Sequence, residues 1–528
     1  MNALAKRQWK GISQLSFYCH SPYTARHSHG LPPTRLCVSS KHAKARFPSD
    51  TTVVLWTTVP LSPQASAAGV RTVGILTQLL TNSQGITSVH VVAPSLPKEQ
   101  SASPSTVDEA MVQTVKQLER QGAHFHAVPP NRDNDARDFL QNLPQHTKLL
   151  CLFDRFYAEE MYSHHVHRHA PYATLVLDMQ DMHSLRRARQ RAVQTAEADS
   201  LQGGILAAQA AIPDANDDDL LRELASIHRM DLSLVCSPHE ITLLETFYGI
   251  PPQKLVLAPL LGNAIHTSND APPWSHRQDV CFVGGFCHDP NVDAVDQLVR
   301  LWPRIRQQLK EQGNVCALPR LHIYGAFLTS ALRQKWLAKL RQAARVKDLE
   351  SCGISLDGFV SDLKHVLLHH RLMLVPLRFG AGLKGKLVEA WQARLPVVTT
   401  PIGAEGFFRL ETLHSFPGRV ARSDEEFVKA VLDLSTSELA WNQAHEHTHT
   451  PVDMSDPNAI VDDTECWKRW LDISMAWPGI ANNLSRTLKT LPERRKQDMM
   501  RAVLWRQSIR STEFFSKYIE QKELSRRK

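Results

Sequence analysis

The sequence predicts an α/β protein built from two doubly wound domains, each a parallel sheet with helices on both faces. Short apolar runs rich in β-branched residues alternate with segments whose apolar residues recur at helical spacing, and this alternation indicates parallel strands joined by crossover helices. The pattern stops in a polar stretch at residues 264–278, which contains Pro272 and Pro273, and then begins again. The restart predicts a second domain.

The first domain is expected at residues 50–263 and begins with a βαβ unit. Residues 52–56 form an apolar run of the kind that a strand buried on both faces requires. Residues 70–80 have helical spacing, and residues 89–93 form the next apolar run. Further strands of this domain are predicted at residues 123–128, 149–153, 174–177 and 232–236.

The second domain is expected at residues 279–435, after a linker at residues 264–278. Its segment 292–309 has the apolar stripe of an amphipathic helix. Residues 436–463 are polar and rich in histidine, which predicts a surface loop, and residues 464–528 are predicted to form helices whose apolar stripes need a partner surface. The strands of this domain are predicted at residues 279–283, 321–324, 372–377 and 396–400.

The N-terminal segment differs in composition from the rest of the chain. Residues 1–49 contain no Asp or Glu and are rich in Arg, Lys, His and Ser, which is typical of a mitochondrial or other organelle transit peptide. No continuous apolar segment follows the first charges, so a secretory signal is not indicated. We expect a disordered leader that directs the protein to an organelle. A disordered tail without a targeting role, on a cytoplasmic protein, is the alternative.

Composition also limits the classes of partner. The net charge is +8, but the basic residues concentrate at the two ends of the chain, so we expect no nucleic-acid partner. No stretch approaches the roughly 18–20 apolar residues of a membrane-spanning helix. The sequence therefore predicts a soluble protein for which peripheral membrane contact stays open.

The nine cysteines predict no metal site. They include no Cys-x-x-Cys pair, and the histidine clusters at residues 164–169 and 445–449 lack the HExxH spacing and are predicted to lie on the surface. Cys151, Cys236 and Cys281 lie inside apolar runs, which predicts buried thiols in a reducing compartment.

The most informative stretch lies at residues 376–390, where a strand end is followed by a glycine-containing turn and a helix start. Free N–H groups at a helix N-terminus bind phosphate oxygens, and Gly380 and Gly382 would let the backbone approach a ligand closely. Lys386 and Glu389 are three residues apart and share a helix face. A cation for a diphosphate and a carboxylate for ribose hydroxyls would suit that face. An ordinary helix start with an ion pair is the structural alternative.

Residues 378–406, with the sequence RFGAGLKGKLVEAWQARLPVVTTPIGAEG, resemble the signature of GT-B glycosyltransferases of the group 1, or family 4, class. Residues 65–72 (ASAAGVRT) are similar to the acceptor loop of some members, and residues 282–295 (FVGGFCHDPNVDAV) to the first turn of the second domain. Residues 153–160 and 177–190 resemble blocks of a poorly characterised bacterial-type branch. The resemblance covers nearly the whole chain beyond the leader.

This resemblance implies two Rossmann-like domains that face a cleft, with C-terminal helices that cross back to the first domain. It implies that the second domain binds a nucleotide-sugar, with Lys386 on the diphosphate and Glu389 on the ribose. It implies no bound cofactor or metal, because basic groups and helix dipoles neutralise the leaving diphosphate. Members of family 4 usually retain the anomeric configuration. The donor-binding residues so indicated are Gly284, Gly285, Arg378, Gly380, Gly382, Lys384, Lys386 and Glu389.

Three positions depart from the family pattern. The common two-glutamate motif has its first Glu eight residues before the second, where this chain has Ala381. The first turn of the second domain often carries Arg and Lys for phosphate, but Gly285 and the residues after it supply neither. Arg394 stands where a helix-ending Gly is usual, which predicts a left-handed conformation at a cost of about 1 kcal/mol. The cations expected to compensate are Arg378, Lys384 and Lys386.

The first domain contributes the remaining candidates. Asp178, Asp181 and His183 follow a predicted strand, where they could orient an acceptor hydroxyl or act as a catalytic base; a helix cap region is the alternative. Gly69 and Arg71 are expected on the acceptor side, where Arg71 would meet an anion; a surface arginine is the alternative.

These features favour an enzyme that moves a sugar from a nucleotide-sugar donor to an unknown acceptor, which could be a glycan, a lipid or a protein. A GT-B epimerase or phosphorylase is a second possibility, although no context for a pyridoxal phosphate lysine is evident. A catalytically inactive GT-B protein that acts as a binding module is the third, because of Ala381 and Arg394.

Overall fold

The protein forms two parallel β-sheets, each surrounded by helices, in a computed structural model. The structure describes residues 45–58, 61–63, 66–96, 106–144, 147–196, 199–259, 271–313, 318–344, 349–407, 416–448 and 473–507.

Within the described residues, the first sheet has seven strands. They are β1 (Ala45–Trp56), β2 (Ser83–Ala93), β3 (Ala123–Ala127), β4 (Lys148–Asp154), β5 (Thr174–Asp178), β6 (Leu232–Val235) and β7 (Leu255–Leu257). Their spatial order is β3-β2-β1-β4-β5-β6-β7, and every pair is parallel. The strand centres are continuous apolar runs because helices cover both faces of the sheet.

The leader is shorter than its composition predicts. Strand β1 begins at Ala45, and Ala45 and Phe47 are buried in the core of the first domain. Residues 45–49 therefore belong to the folded domain and not to a disordered leader, and the rest of the expected leader, residues 1–44, lies outside the described residues.

Eight helices are described between the strands of the first sheet and before the second. They are α1 (Ala67–Thr81), α2 (Thr106–Arg120), α3 (Asp133–Gln141), α4 (Arg155–His169), α5 (His183–Thr195), α6 (Leu201–Ala210), α7 (Asp218–Arg229) and α8 (Pro238–Thr246). Helix α8 begins with Ser237 as its N-cap and Pro238 as its first residue, the position of a helix that proline favours.

The second sheet has six strands in the order β10-β9-β8-β11-β12-β13. The strands are β8 (Gln278–Val283), β9 (Leu321–Tyr324), β10 (Ile354–Gly358), β11 (His370–Val375), β12 (Val397–Thr399) and β13 (Gly418–Val420). The helices are α9 (Asp289–Gln312), α10 (Ser330–Ala344), α11 (Leu363–Leu367), α12 (Gly385–Gln392), α13 (Pro401–Ala404), α14 (Asp424–Thr436) and α15 (Glu438–Glu446).

The strand order reverses between β1 and β4 in the first sheet and between β8 and β11 in the second. In doubly wound sheets, ligands bind beyond the carboxyl ends of the strands at such a reversal. The 376–384 loop joins β11 to α12 at the reversal of the second sheet and reaches the first domain at Asp181 and Cys236, which follow β5 and β6. The predicted fold class, two doubly wound domains with a cleft, is confirmed.

Helix α6 departs from the simple division of the chain. It lies in the first half of the sequence, but Leu201, Ile205 and Ala208 pack in the hydrophobic core of the second domain. Asp424 accepts the backbone N–H of Leu201 at 3.0 Å, so a carboxylate of the second domain caps this helix. The sequence places α6 in one domain, and its packing places it in the other.

The C-terminal part of the chain returns to the first domain, as expected. Helix α16 (Ile473–Gln497) buries Trp477, Ile480 and Leu484 in the core beside β1. The predicted loop at residues 436–463 is wrong in part, because residues 438–446 form helix α15, and residues 449–463 lie outside the described residues. Among the described helices, none is long and apolar enough to cross a membrane.

Candidate functional site

The 376–384 loop lies directly against the first domain. The backbone N–H of Gly382 donates to Oε1 of Glu240 on α8 at 2.8 Å, and the N–H of Met182 donates to the same oxygen at 3.1 Å. Gly382 has φ of +62°, and a Cβ at this position would lie 2.9 Å from Cβ of Asp181. Only glycine therefore fits this contact between the domains.

Glu240 is a buried carboxyl group between the two domains. Burial raises its pKa to about 7, the negative charge of Asp181 adds to this, and the two backbone N–H groups oppose it. Its second oxygen has no hydrogen-bond partner in the described part of the chain. Sequence reasoning assigned no role in the site to Glu240, because its contact with Gly382 joins two domains.

Two of the three cations expected to bind the sugar-nucleotide donor, Arg378 and Lys384, already have partners within the protein. Arg378 forms a bidentate ion pair with Asp293, with Nε 3.0 Å from Oδ2, and its side chain is only 10% exposed. Lys384 is buried and donates its ammonium to the carbonyl of Gly382 at 2.6 Å. Both side chains thus shape the 376–384 loop.

Lys386, the third cation expected to bind the donor, lies at the carboxyl end of β8 in the second sheet. It is half-buried on the first turn of α12, it donates to Oδ1 of Asn291, and its Nζ lies 4.6 Å from the ring centroid of Phe282. Burial lowers its pKa to about 7, while Glu389, one turn further along α12, acts in the opposite direction. Burial raises the pKa of Glu389 to about 7, and Lys386 opposes that change. The two groups form an electrostatically coupled pair, as their spacing predicts.

The first turn of the second domain is closely packed around Gly284 and Gly285. A Cβ on Gly284 would lie 2.7 Å from Cγ of Asn291, and the amide of Asn291 donates to the carbonyl of Gly285 at 2.8 Å. Asn291 therefore links this turn to Lys386. Sequence reasoning missed Asn291, although it lies inside the block 282–295 that carries the resemblance.

Two candidates of the first domain are partners of each other. The guanidinium of Arg71 donates to both carboxylate oxygens of Asp178, at 2.6 to 3.1 Å, and the side chains are only 1% and 3% exposed. Burial opposes the charged form of Asp178 and raises its pKa, although Arg71 acts in the opposite direction. This pair leaves neither side chain open to an acceptor.

Asp181 and His183 form a second polar group beside the 376–384 loop. Nε2 of His183 lies 3.1 Å from Oδ1 of Asp181, and its Nδ1 lies 2.8 Å from the hydroxyl of Tyr157. Arg186 forms an ion pair with the other oxygen of Asp181. Burial opposes ionisation of Asp181, but Arg186 and His183 hold its pKa far below the usual range. Asp181 is therefore an anion, and His183 has a fixed orientation.

Gly69 lies in the first turn of α1, and this turn approaches the start of α12 through Ala67. Ser66 caps α1 and accepts the N–H of Gly69 at 3.0 Å, and a Cβ on Gly69 would collide with the carbonyl of Ser62. Ala67, in the same turn, lies 3.0 Å from the position that a Cβ on Gly385 would occupy. The N-termini of α1 and α12 are thus neighbours.

Among the described residues, no group of three or more His, Cys, Asp or Glu side chains could hold a metal ion. The surface location predicted for the histidine clusters is wrong for His165, whereas the other described histidines of the two clusters are half-buried: His164, His167, His169, His445 and His447. His165 is buried in α4 and lies 2.8 Å from Asp133, and His445 donates to the carbonyl of Arg394 at 2.8 Å. Cys151, Cys236 and Cys281 are buried free thiols, as predicted.

Two facing doubly wound domains with a returning C-terminal helix define a GT-B fold. A glycosyltransferase from Rickettsia africae ESF-5 is similar, with a TM-score of 0.51 and 10% identity over 85% of this chain and 98% of that chain. HepE from Anabaena in complex with UDP has a TM-score of 0.50 and 12% identity, over 83% of this chain and 100% of that chain. An E. coli structure described as trehalose-6-phosphate bound with UDP-2-fluoro glucose has a TM-score of 0.50 and 10% identity, over 83% and 99%. At these identities the likeness shows the fold.

The second domain also matches a known protein family in sequence. Residues 277–437 match the family model described as "Glycosyl transferases group 1". Together with the fold, this match makes the second domain of this GT-B protein similar to the group 1 glycosyltransferases. A comparison with curated proteins finds no match.

Proposed function

We propose that the protein transfers a sugar from a nucleotide-sugar to an acceptor bound by its first domain. The observation that carries this proposal is the Lys386–Glu389 pair, half-buried at the start of α12 in the segment that matches the family. A cation and a carboxylate one turn apart suit the diphosphate and the ribose of such a donor. Similar structures have been solved with UDP and with UDP-2-fluoro glucose, which supports a sugar nucleotide as the ligand.

On the acceptor side, Asp181 and His183 are the candidates that remain beside the 376–384 loop. Asp181 orients the imidazole of His183, and this arrangement suits a group that would position or deprotonate an acceptor hydroxyl. Asp178 is engaged by Arg71 and is assigned a structural role in this proposal.

A donor screen on the full-length chain tests the proposal. Common nucleotide-sugars are added one at a time, and the thermal shift and the release of nucleoside diphosphate are followed for the wild type, Lys386→Ala and Glu389→Ala. Lys335→Ala is the matched control, because Lys335 lies on α10 and pairs with Asp296 away from the loop. We expect one donor to stabilise the wild type and the control, and both effects to be lost in the two site variants.

The other outcomes separate the alternatives. A donor that binds without any turnover in the presence of broad acceptor extracts would favour the inactive binding module. If no nucleotide-sugar shifts the melting temperature, the proposed donor site does not exist.

We also propose that the basic leader directs the protein to an organelle, on the basis of its composition alone. Residues 1–44 fused to a fluorescent protein should carry it to that organelle. A fusion in which the leader arginines and lysines are replaced by glutamine is the control, and an unchanged diffuse distribution of the first fusion contradicts the proposal.

A further inference from the structure

Two arginines of the first domain lie at the part of the cleft that Lys386 reaches from the second domain. Arg186 is on α5, and one turn later Gln190 donates to Oδ2 of Asp289 at 2.8 Å. Asp289 is the first residue of α9. Because residues four apart share a helix face, Arg186 projects toward the same end of α9 as Gln190 does.

Lys386 approaches this helix end from the other domain. It donates to Asn291, the third residue of α9. Burial is the main cause that lowers the pKa of His288, the N-cap of α9. The positive charges of Arg186, Lys386 and Arg155 lower it further, and the negative charge of Asp181 opposes them. Cations from both domains therefore surround one helix N-terminus, whose own dipole is positive.

Arg155 is strained and incompletely paired. It is the first residue of α4, at the carboxyl end of β4, and its φ of +69° is in the left-handed region that non-glycine residues rarely adopt. One amino group donates to Asp154 at 3.1 Å, and its buried Nε has no acceptor in the described part of the chain. A strained backbone and a buried donor without a partner are features of a site that a ligand completes.

We propose that Arg155 and Arg186 of the first domain bind the diphosphate of the donor together with Lys386 of the second domain. This inference rests on the proposed function and deepens it. The first turn of the second domain has glycine at position 285 and lacks the expected phosphate-binding cations, and Arg378 and Lys384 are engaged within their own domain. The first domain then supplies the missing charge. A guanidinium carries five N–H donors, so Arg186 can hold Asp181 and a phosphate oxygen at once.

A direct consequence is that donor binding requires both domains. The leaving diphosphate would be contacted from two sides, and its charge would be stabilised only when the cleft is closed around it. Asp154 and Asp181 pair with these arginines and offset part of their positive charge.

Calorimetry on the full-length protein tests this assignment with inorganic pyrophosphate, with UDP, GDP and ADP, and with the nucleoside of whichever diphosphate binds. The variants are Arg155→Gly, Arg155→Lys and Arg186→Gln. Arg187→Gln is the control, since Arg187 is exposed on the same helix and pairs with Asp219. Losing one charge-assisted contact should weaken diphosphate and pyrophosphate binding by about tenfold or more in Arg155→Gly and Arg186→Gln.

The same variants should leave nucleoside binding unchanged, and Arg155→Lys should keep part of the affinity. Because glycine adopts positive φ without strain, the relief of backbone strain in Arg155→Gly offsets part of the loss of its ion pair with Asp154. The melting temperature of each variant, measured beside its affinity, separates loss of binding from loss of folding. If the wild type binds a nucleoside diphosphate and both variants bind it equally well, the inference is overturned while the proposed function stands. If the wild type binds no diphosphate and no nucleotide-sugar, the proposed function itself fails and this inference fails with it.

Discussion

Arg189 of the first domain holds both carboxylate oxygens of Glu405 in the second domain, at 2.8 and 2.9 Å. The same guanidinium donates to the carbonyl of Gly380 at 2.8 Å, so it joins α5 to the end of α13 and to the 376–384 loop. The Arg189 side chain is only 4% exposed. Burial opposes the charge on Glu405, but Arg189 and His239 hold its pKa down to about 2. This ion pair therefore couples the relative position of the domains to the shape of the 376–384 loop.

Substitution of Arg189 should lower the free energy of unfolding. Arg189→Ala leaves Glu405 charged and buried without its main partner, and we expect a loss of about 3–5 kcal/mol in the free energy of unfolding. Adding Glu405→Gln should restore part of that loss, and urea unfolding of the two single variants and the double variant measures the coupling. The control is Arg191→Ala, whose guanidinium is 58% exposed on the same helix. Additive effects of the two substitutions would contradict an energetic link between the domains.

The contact of Gly382 with the first domain predicts a difference between two glycine substitutions. Gly382→Ala and Gly249→Ala both place a side chain at positive φ, +62° and +64°, and each should cost about 1 kcal/mol for that reason. Only Gly382→Ala also pushes against Asp181, which should add about 1–3 kcal/mol, because nothing lies within 4 Å of the Cβ position at Gly249. Thermal unfolding of both variants checks this. Equal losses would show that the interdomain contact does not resist a methyl group.

Glu240 predicts a pH-dependent stability. Its pKa is raised to about 7 in the folded protein from an ordinary value of 4.5, so the folded state holds a proton that the unfolded state has lost between these values. The free energy of unfolding must fall as the pH rises through that window, by about 3 kcal/mol at most from this group. Glu240→Gln imitates the protonated acid and still accepts from Gly382. We expect it to match the wild type near pH 4.5 and to be the more stable protein at pH 8.

Glu223 provides the comparison for that measurement. Burial also raises its pKa, to about 8, and it accepts the backbone N–H groups at the start of α5. Glu223→Gln should therefore also be more stable than the wild type at high pH, and the difference should keep growing up to about pH 8. A Glu240→Gln variant whose stability relative to the wild type is the same at pH 4.5 and pH 8 would show that folding does not raise the pKa of Glu240.

The sequence predicts well what depends on neighbouring residues along the chain. Buried apolar runs and their polar ends identify strands such as β4 and β5, which end at Asp154 and Asp178. The helix-ending position of Arg394 predicts a left-handed residue, and its φ is +51°. These features follow from local packing periodicity and local backbone sterics, which a short window of sequence contains.

Contacts between distant segments could not be predicted in this way. Arg71 and Asp178 are separate candidates in the sequence, and only the tertiary contact between α1 and the end of β5 brings them together. Ala381, which replaces a motif glutamate, packs in the hydrophobic cluster of the first domain, so its apolar character has a structural reason that the motif alone does not reveal. Ion pairs and interfaces of this kind depend on how the domains are placed, and residue type alone carries no such information.

Lys386 predicts that donor affinity falls as the pH rises. Its pKa in the unliganded site is about 7, and a bound diphosphate stabilises the ammonium, so above pH 7 binding must be accompanied by uptake of a proton. The association constant of the sugar nucleotide found in the donor screen should then fall by up to about tenfold per pH unit between pH 7 and 9. Sugar nucleotides suit this measurement because their phosphates are diesters and do not titrate in this range.

The matched control for this pH dependence is Lys386→Arg, because a guanidinium stays protonated throughout the range. Glu389, whose pKa is also raised to about 7, ionises over the same interval and would favour binding at high pH if its carboxylate accepts ribose hydroxyls. The slope that belongs to Lys386 is therefore the difference between the wild type and Lys386→Arg, measured by calorimetry at each pH. We expect this difference to grow steadily above pH 7, and parallel profiles for the two proteins would mean that Lys386 does not bind the diphosphate in its charged form.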